Sequence, residues 1–302
     1  MPTLRYQLLD VFTNQRFGGN QLAVFLDARD IPADLMQTLA RELNLAETVY
    51  VLPPDDSANH FRLRIFTPAT EMMMAGHPTV GATYALAKAG MIPVEGAQTA
   101  LRLEEKVGII PVTVEFENGA PTFIEMQQPL PTFGEVFPDR ALAAELLSLA
   151  PDDLVDGLPV QAVSCGVPFL FFPVATLDAM RRIRLRLDLW ERHLKSAPAP
   201  HVFAFSRETV TPGAFVHSRM FAPALGIPED PATGAASGPL GCYLVRYELA
   251  GGEQTQFISE QGLEMGRPSF IHIRIARTEG QISRVAIAGE AVLVGEGAFN
   301  LG

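Results

Sequence analysis

Two helical stretches without a polar face constrain this chain more than any other feature. One lies in "MMMAGHPTVGATYAL", beginning at Met72, and the other in "DPATGAASGPLGCYL", beginning at Asp230. A helix that is apolar on nearly every side has to be covered on every side, so each needs a sheet wrapped around it rather than laid against one face. Each is preceded by a small-residue turn, and each follows an Arg-x-Phe-x-Pro-Ala run: "RIFTPA" from Arg64 and "RMFAPA" from Arg219. The two copies point to an internal repeat.

The strands needed for wrapping are present. "TLRYQLLDVF" and "NQLAVFL" flank the Gly18-Gly19 turn, and "PADLMQTLAREL" follows as an amphipathic helix, with Asp30 as cap, Pro32 in the first turn and Asn44 as its end. "ETVYVL" and "HFRLRIF" lead to the first turn, and "PVTVEFE" and "TFIEMQ" are joined by Asn118-Gly119, a strong hairpin signal. The order then restarts: helix "DRALAAELLSLA", strands "QAVS" and "FLFFPV", two short helices, strands "HVFAFS" and "AFVHSRMF", and the second turn and helix. "QFISEQG", "SFIHIRIA", "RVAIAGEAVLVGEG" and "AFNLG" close the chain as strands. The expected fold is α+β, with two pseudo-symmetric lobes. Each is a largely antiparallel, barrel-like sheet around a central helix, and the two turns face each other at a cleft. The lobes are assigned to residues 1–118 and 119–288.

Composition removes several classes of function. The chain has 302 residues, 48% of them hydrophobic and 19% charged, and carries a formal net charge of -11 without a Lys/Arg run, which disfavours nucleic acid and anionic lipid as partners. Its start, "MPTLRYQLLDVF", has no basic leader followed by an apolar core, and "VPFLFFPVATL" is short and broken by prolines. Cys165 and Cys242 make neither a disulfide framework nor a metal site. A cytoplasmic protein without a membrane partner is expected. No Gly-rich dinucleotide fingerprint, phosphate-loop Lys or zinc spacing occurs, so cofactor-free and metal-free chemistry is expected.

The turns suit an anion. The first N–H groups of a helix lack internal partners, small residues admit a ligand to them, and the helix end carries roughly half a positive charge. Glycine that merely permits tight packing is the competing reading. Glu71, His77, Glu229 and Asp230 are the titratable groups nearby. His77 can exchange a proton near neutral pH or serve as an ordinary turn histidine. Asp230 before Pro231 is also a common turn initiator. Glu47 opens the apolar strand "TVYVL", where lost hydration would raise its pKa toward proton exchange, although an exposed Glu at a strand start is the commoner outcome. Cys165 reads as a buried structural thiol, and Met72, Met73 and Met74 as core or adaptable cleft lining.

Together, "DVFTNQRFGGNQLAVF", "NLAETVYV", "RIFTPATEMMMAGHPTVGATYAL", "RMFAPALGIPEDPATGAASGPLG" and "SEQGLEMGRPS" resemble the phenazine-biosynthesis PhzF-like isomerases, on the diaminopimelate-epimerase fold. The resemblance implies that the final strand, about residues 289–302, returns to the first lobe. It implies catalytic roles for Glu47, His77 and Asp230, with substrate carboxylate bound by backbone around Gly76 and around Gly234 and Ala235. The implied reaction is a cofactor-independent isomerisation that moves a proton on a small cyclic or amino-acid-like carboxylate, as in trans-2,3-dihydro-3-hydroxyanthranilate isomerase, by a homodimer.

Two alternatives share the fold. An amino-acid epimerase or racemase would use paired cysteines at the turns, which read "AGHPTVG" and "ATGAASG", so it would need other bases. A non-catalytic carboxylate-binding protein would need the turns but not the three side chains.

Overall fold

The computed structural model describes residues 3–250, 252 and 254–301. In chain order the first half runs β1 (Thr3–Val11), β2 (Asn20–Phe25), α1 (Ala33–Leu43), β3 (Glu47–Leu52), β4 (Phe61–Phe66), α2 (Gly76–Lys88), β5 (Gln98–Glu105), β6 (Gly108–Glu117) and β7 (Ala120–Gln128). The second half runs β8 (Thr132–Val136), α3 (Arg140–Leu146), β9 (Gln161–Ser164), β10 (Pro168–Pro173), α4 (Leu177–Arg182), α5 (Leu187–His193), β11 (His201–Ser206), β12 (Val216–Ala222), β13 (Ile227–Asp230) and α6 (Gly234–Arg246). It closes with β14 (Gln254–Gln261), β15 (Ser269–Thr278), β16 (Gln281–Gly289) and β17 (Ala291–Asn300).

Residues 1–127 and 287–302 form one compact unit, and residues 128–286 a second. In the first unit the strand order is β17-β1-β2-β3-β4-β5-β6-β7. Its pairs run antiparallel, antiparallel, parallel, antiparallel, parallel and antiparallel as far as β6, and β6–β7 is antiparallel. In the second unit β8-β9-β10-β11-β12-β14-β15 follow the same series of senses. The repeat is therefore one of pairing order as well as of the two turns. β17 supplies to β1 the antiparallel neighbour that β8 supplies to β9.

In the first unit α2 packs on β17, β1, β2, β3 and β6, strands from both halves of the ladder, so the sheet curls around the helix. Residues Gly76 to Thr83 are all buried. Gly81 makes the close approach possible, because a Cβ there would lie 2.5 Å from Leu22 Cδ2 and 2.7 Å from Val11 Cγ2. In the second unit α6 packs on β9, β10 and β15, and a Cβ at Gly241 would meet Ile273 Cγ2 at 2.6 Å. The outer face of the first sheet is sealed by α1, where Phe25, Met36, Leu39, Tyr50 and Phe66 form a cluster with Phe25 and Tyr50 stacked at 4.8 Å.

Several expectations need correction. The Asn118-Gly119 turn is not the point of crossing, because β7 stays paired to β6 and keeps the chain in the first unit until residue 127. Pro32, rather than Asp30, holds the N-cap position of α1, while Asn44 ends the helix in the left-handed conformation that an Asn tolerates. "AFNLG" is not a separate strand: its Ala298–Asn300 continue β17, and Gly302 lies outside the described residues. Strands β5, β8 and β13 had no distinct signal in the sequence. In β5 the alternation ends in two buried carboxylates, Glu104 and Glu105, which read as a charged loop when taken one residue at a time.

Candidate active site

Every residue of β3 from Glu47 to Val51 is buried. Successive side chains alternate between faces, so Tyr50 enters the cluster under α1 while Glu47, Val49 and Val51 point to the opposite face. Glu47 is 7% exposed and His77, at the start of α2, is 4% exposed. Glu47 Oε2 lies 3.4 Å from His77 Nδ1, and Asn20 Nδ2 lies 3.2 Å from the same nitrogen. Burial pulls the His77 pKa down to about 3, against a contact with the Gln21 backbone that favours the charged ring. The imidazole is therefore neutral at pH 7, with one donor and one acceptor. Its Nε2 is buried and has no hydrogen-bond partner among the described residues.

Backbone at this turn matches the expectation of uncapped donors. Ala75 occupies the N-cap of α2 in extended conformation, and as an alanine it offers no side-chain cap to the first N–H groups. No acidic residue occupies the first turn.

The second unit repeats the construction around α6. Thr233 is the N-cap but does not cap with its side chain, because its hydroxyl is already engaged. Thr233 Oγ1 donates to Asp230 Oδ2 at 2.6 Å and accepts from Gln261 Nε2 at 2.9 Å. Gln261 also accepts the Thr233 N–H at 3.1 Å and donates to the Asp230 carbonyl at 2.7 Å. Gln128 donates to the Gly234 carbonyl at 3.0 Å. Asp230, 3% exposed, is thus fixed at the end of β13 by Thr233, the N-cap of α6, and by Gln261.

Of the sequence candidates, Glu47, His77 and Gly76 come together in the first unit, and Asp230, Gly234 and Ala235 in the second. Glu71 and Glu229 are instead consumed by repeat-related ion pairs. Arg64 Nε and Nη2 meet Glu71 at 2.7 and 3.0 Å, and Arg219 Nε and Nη2 meet Glu229 at 2.7 and 2.9 Å. These bidentate pairs hold the segments that lead into the two turns. Cys165 and Cys242 are buried, and the neighbouring Cys165 thiol together with burial pushes the Cys242 pKa up, so it stays a thiol. Met74 is core, whereas Met73 is half exposed.

Sequence reading missed Asn20, Thr233 and Gln261. Asn20 follows Gly18-Gly19 and reads as a turn former, yet pairing with Val11 buries it against His77. Gln261 stands far along the chain from its turn, and only the parallel pairing of β12 with β14 brings it there. Among the described residues no group of three His, Cys, Asp or Glu side chains is placed to hold a metal ion. No helix among them is long and apolar enough to cross a membrane.

The chain matches the family described as phenazine biosynthesis-like protein, PhzC-PhzF, over residues 9–297. It is 40% identical to an uncharacterized isomerase of Mesorhizobium japonicum, covering 98% of this chain and 99% of the relative. It is 34% identical to trans-2,3-dihydro-3-hydroxyanthranilate isomerase of Pseudomonas aeruginosa, covering 97% and 98%. The crystal structure of a Bacillus anthracis phenazine biosynthesis protein of the PhzF family superposes with a TM-score of 0.90 at 31% identity, over 100% of both chains. A probable proline racemase from Agrobacterium radiobacter shares the fold at 12% identity, with a TM-score of 0.69 over 99% and 93%. With a family match over nearly its whole length and relatives above 30% identity at full coverage, the chain belongs to the phenazine-biosynthesis-like PhzC-PhzF family and is an isomerase of the PhzF type.

Proposed function

We propose that this isomerase moves a proton between two carbons of a small cyclic or amino-acid-like carboxylate, with trans-2,3-dihydro-3-hydroxyanthranilate as the leading substrate class. The observation that carries the reading is the buried Glu47–His77 pair beside the uncapped start of α2. Glu47 takes the proton from one carbon and returns it to another. A single buried carboxyl suits this role, because burial slows, without abolishing, exchange of the proton it holds with water. His77, neutral and with Nε2 unclaimed, positions an amino or hydroxyl group of the substrate, as does Asp230. Backbone N–H groups around Gly76 and around Gly234-Ala235 bind the carboxylate. No metal or redox cofactor takes part in this scheme. The reading also includes a homodimer, which family resemblance supports, in a reducing cytoplasm, which the two unpaired cysteines suit.

The test is a panel of substrates in deuterated water, with trans-2,3-dihydro-3-hydroxyanthranilate beside cyclic and acyclic amino acids. Isomerisation of the first, or deuterium entering a carbon position of any other, is expected. A panel that shows neither would end the reading.

The carboxylate grip has its own prediction. A Gly234→Val side chain at the buried start of α6 obstructs approach to the backbone, so affinity for a substrate-like carboxylate should fall at least about tenfold while the protein stays folded. Calorimetric titration checks this. Unchanged affinity in the folded variant would remove the turn from the site.

A further inference from the structure

The two units treat the N-cap of their central helix alike, with one chemical difference. The registers Arg62↔Glu104 and His217↔Glu260 make Glu104 and Glu260 counterparts, and each accepts two consecutive backbone N–H groups, Asp55 and Asp56 or Val210 and Thr211. The next residues are therefore counterparts too: Glu105 and Gln261. Gln261 accepts the N-cap N–H of α6, and the Ala75 N–H acts on the Glu105 carboxyl at the N-cap of α2. Three residues beyond Gly76 and Gly234 stand Thr79 and Ser237. Their hydroxyls point to the N-cap carbonyls, Thr79 to Ala75 O at 2.6 Å and Ser237 to Thr233 O at 2.9 Å.

Thr79 Oγ1 is also 2.5 Å from Glu105 Oε1. A hydroxyl has one proton. If it goes to Ala75 O, as Ser237 sends its own to Thr233 O, the contact with Glu105 needs a proton on the carboxyl. We propose that Glu105 is a positioning residue. It is a neutral carboxylic acid that donates to Thr79, holds the first turn of α2 in its carboxylate-binding form, and adds no negative charge of its own to that turn. This rests on the reading of the turn as a carboxylate grip.

The surroundings agree. Glu105 is 7% exposed, and burial pushes its pKa up to about 8. The Thr79 hydroxyl lowers that value only in so far as it donates to the carboxylate, and in the proposed arrangement its proton goes to Ala75 O instead. Glu105 borders a cavity of about 640 Å³ whose lining also includes Arg62, Arg64, Glu71, Arg102, Glu104 and Lys106. Each of these is already engaged: Arg62 with Asp55, Arg64 and Lys106 with Glu71, Arg102 with the Asn59 side-chain oxygen, and Glu104 with backbone N–H groups and Asn59. From α2 the nearby ionisable group is His77, held neutral, and β6 contributes only the uncharged Gly108 and Ile109 to the cavity. None of these cations acts on Glu105, which responds to burial and to its contacts with Thr79 and the Ala75 N–H.

Two measurements on wild type and Glu105→Gln test the proposal. Gln reproduces the Gln261 arrangement and cannot ionise. Infrared difference spectroscopy at pH 7 should show a protonated-carboxyl band that the variant lacks; identical spectra overturn the proposal. Calorimetry with 3-hydroxyanthranilate as the probe should give similar affinity for both proteins at pH 7. Between pH 7 and 10, affinity should fall at least about tenfold in wild type and stay flat in Glu105→Gln. A parallel fall in both overturns the role of Glu105, whereas a wild type that binds no probe at pH 7 overturns the carboxylate reading itself. Should Glu105→Gln not fold, Thr79→Val is expected to lose at least about tenfold in affinity at pH 7 and Thr79→Ser to restore it. Equal affinities for the two overturn the proposal.

Discussion

Glu47→Gln is expected to bind carboxylate ligands normally and to lose at least about 100-fold in turnover, the lower end for removal of a general acid/base. The substitution keeps the size and hydrogen-bonding capacity of a side chain that is almost fully buried at the first residue of β3, so the pairing with Leu22 and the contact with His77 survive. Only the ionisable oxygen goes. A packing role would give the reverse pattern, near-normal turnover with lower stability. Since one base serves both carbons, part of the abstracted hydrogen should also stay with the product in deuterated water, unless exchange from the buried carboxyl outpaces its return. Single-turnover proton transfer measured on a substrate from the exchange panel is decisive, and a wild-type rate in Glu47→Gln would end the assignment.

The largest effect on stability is expected at His217, which is fully buried between two carboxylates. Its Nδ1 lies 2.9 Å from Glu260 and its Nε2 2.9 Å from Glu264. Burial pulls the ring pKa down, but the two hydrogen-bonded carboxylates outweigh it and raise it to about 9. Glu260, despite the opposing effect of burial, is held down at about 2 by His217 and by the Val210 and Thr211 N–H groups. His217→Leu strands Glu260 without its cation, which should cost about 3 kcal/mol, the lower end for a broken buried pair because the backbone donors remain.

The pH dependence has a definite sign. The folded pKa of His217 lies above its ordinary 6.5, so its stabilisation is complete below pH 6.5 and is lost as pH rises through 9. Glu260 lies below its ordinary 4.5, so its stabilisation is present above that pH and is lost as pH falls through 2. Urea unfolding of wild type and His217→Leu should therefore differ most between pH 4.5 and 6.5 and converge by pH 10. A constant difference across that range would show that the loss is one of packing alone.

The sequence by itself determined the elements whose signals are local. Helices apolar on every face demanded an enclosing sheet, small-residue turns marked their uncapped starts, and alternation marked most strands. β3 was readable to the residue because an apolar run follows Glu47 directly. Those same features carried the family motifs, and with them Glu47, His77 and Asp230. Tertiary structure decided whatever depends on which strands become neighbours. Parallel pairing of β12 with β14 brings Gln261 to the start of α6 and Glu260 to His217, and pairing of β4 with β5 does the same for Glu104 and Glu105. A carboxyl 26 residues from the hydroxyl it meets gives no local sign of its partner. Protonation states belong to the same class: the neutral ring of His77 and the charged ring of His217 follow from burial and from the neighbours that long-range pairing supplies, not from the residues beside them in the chain.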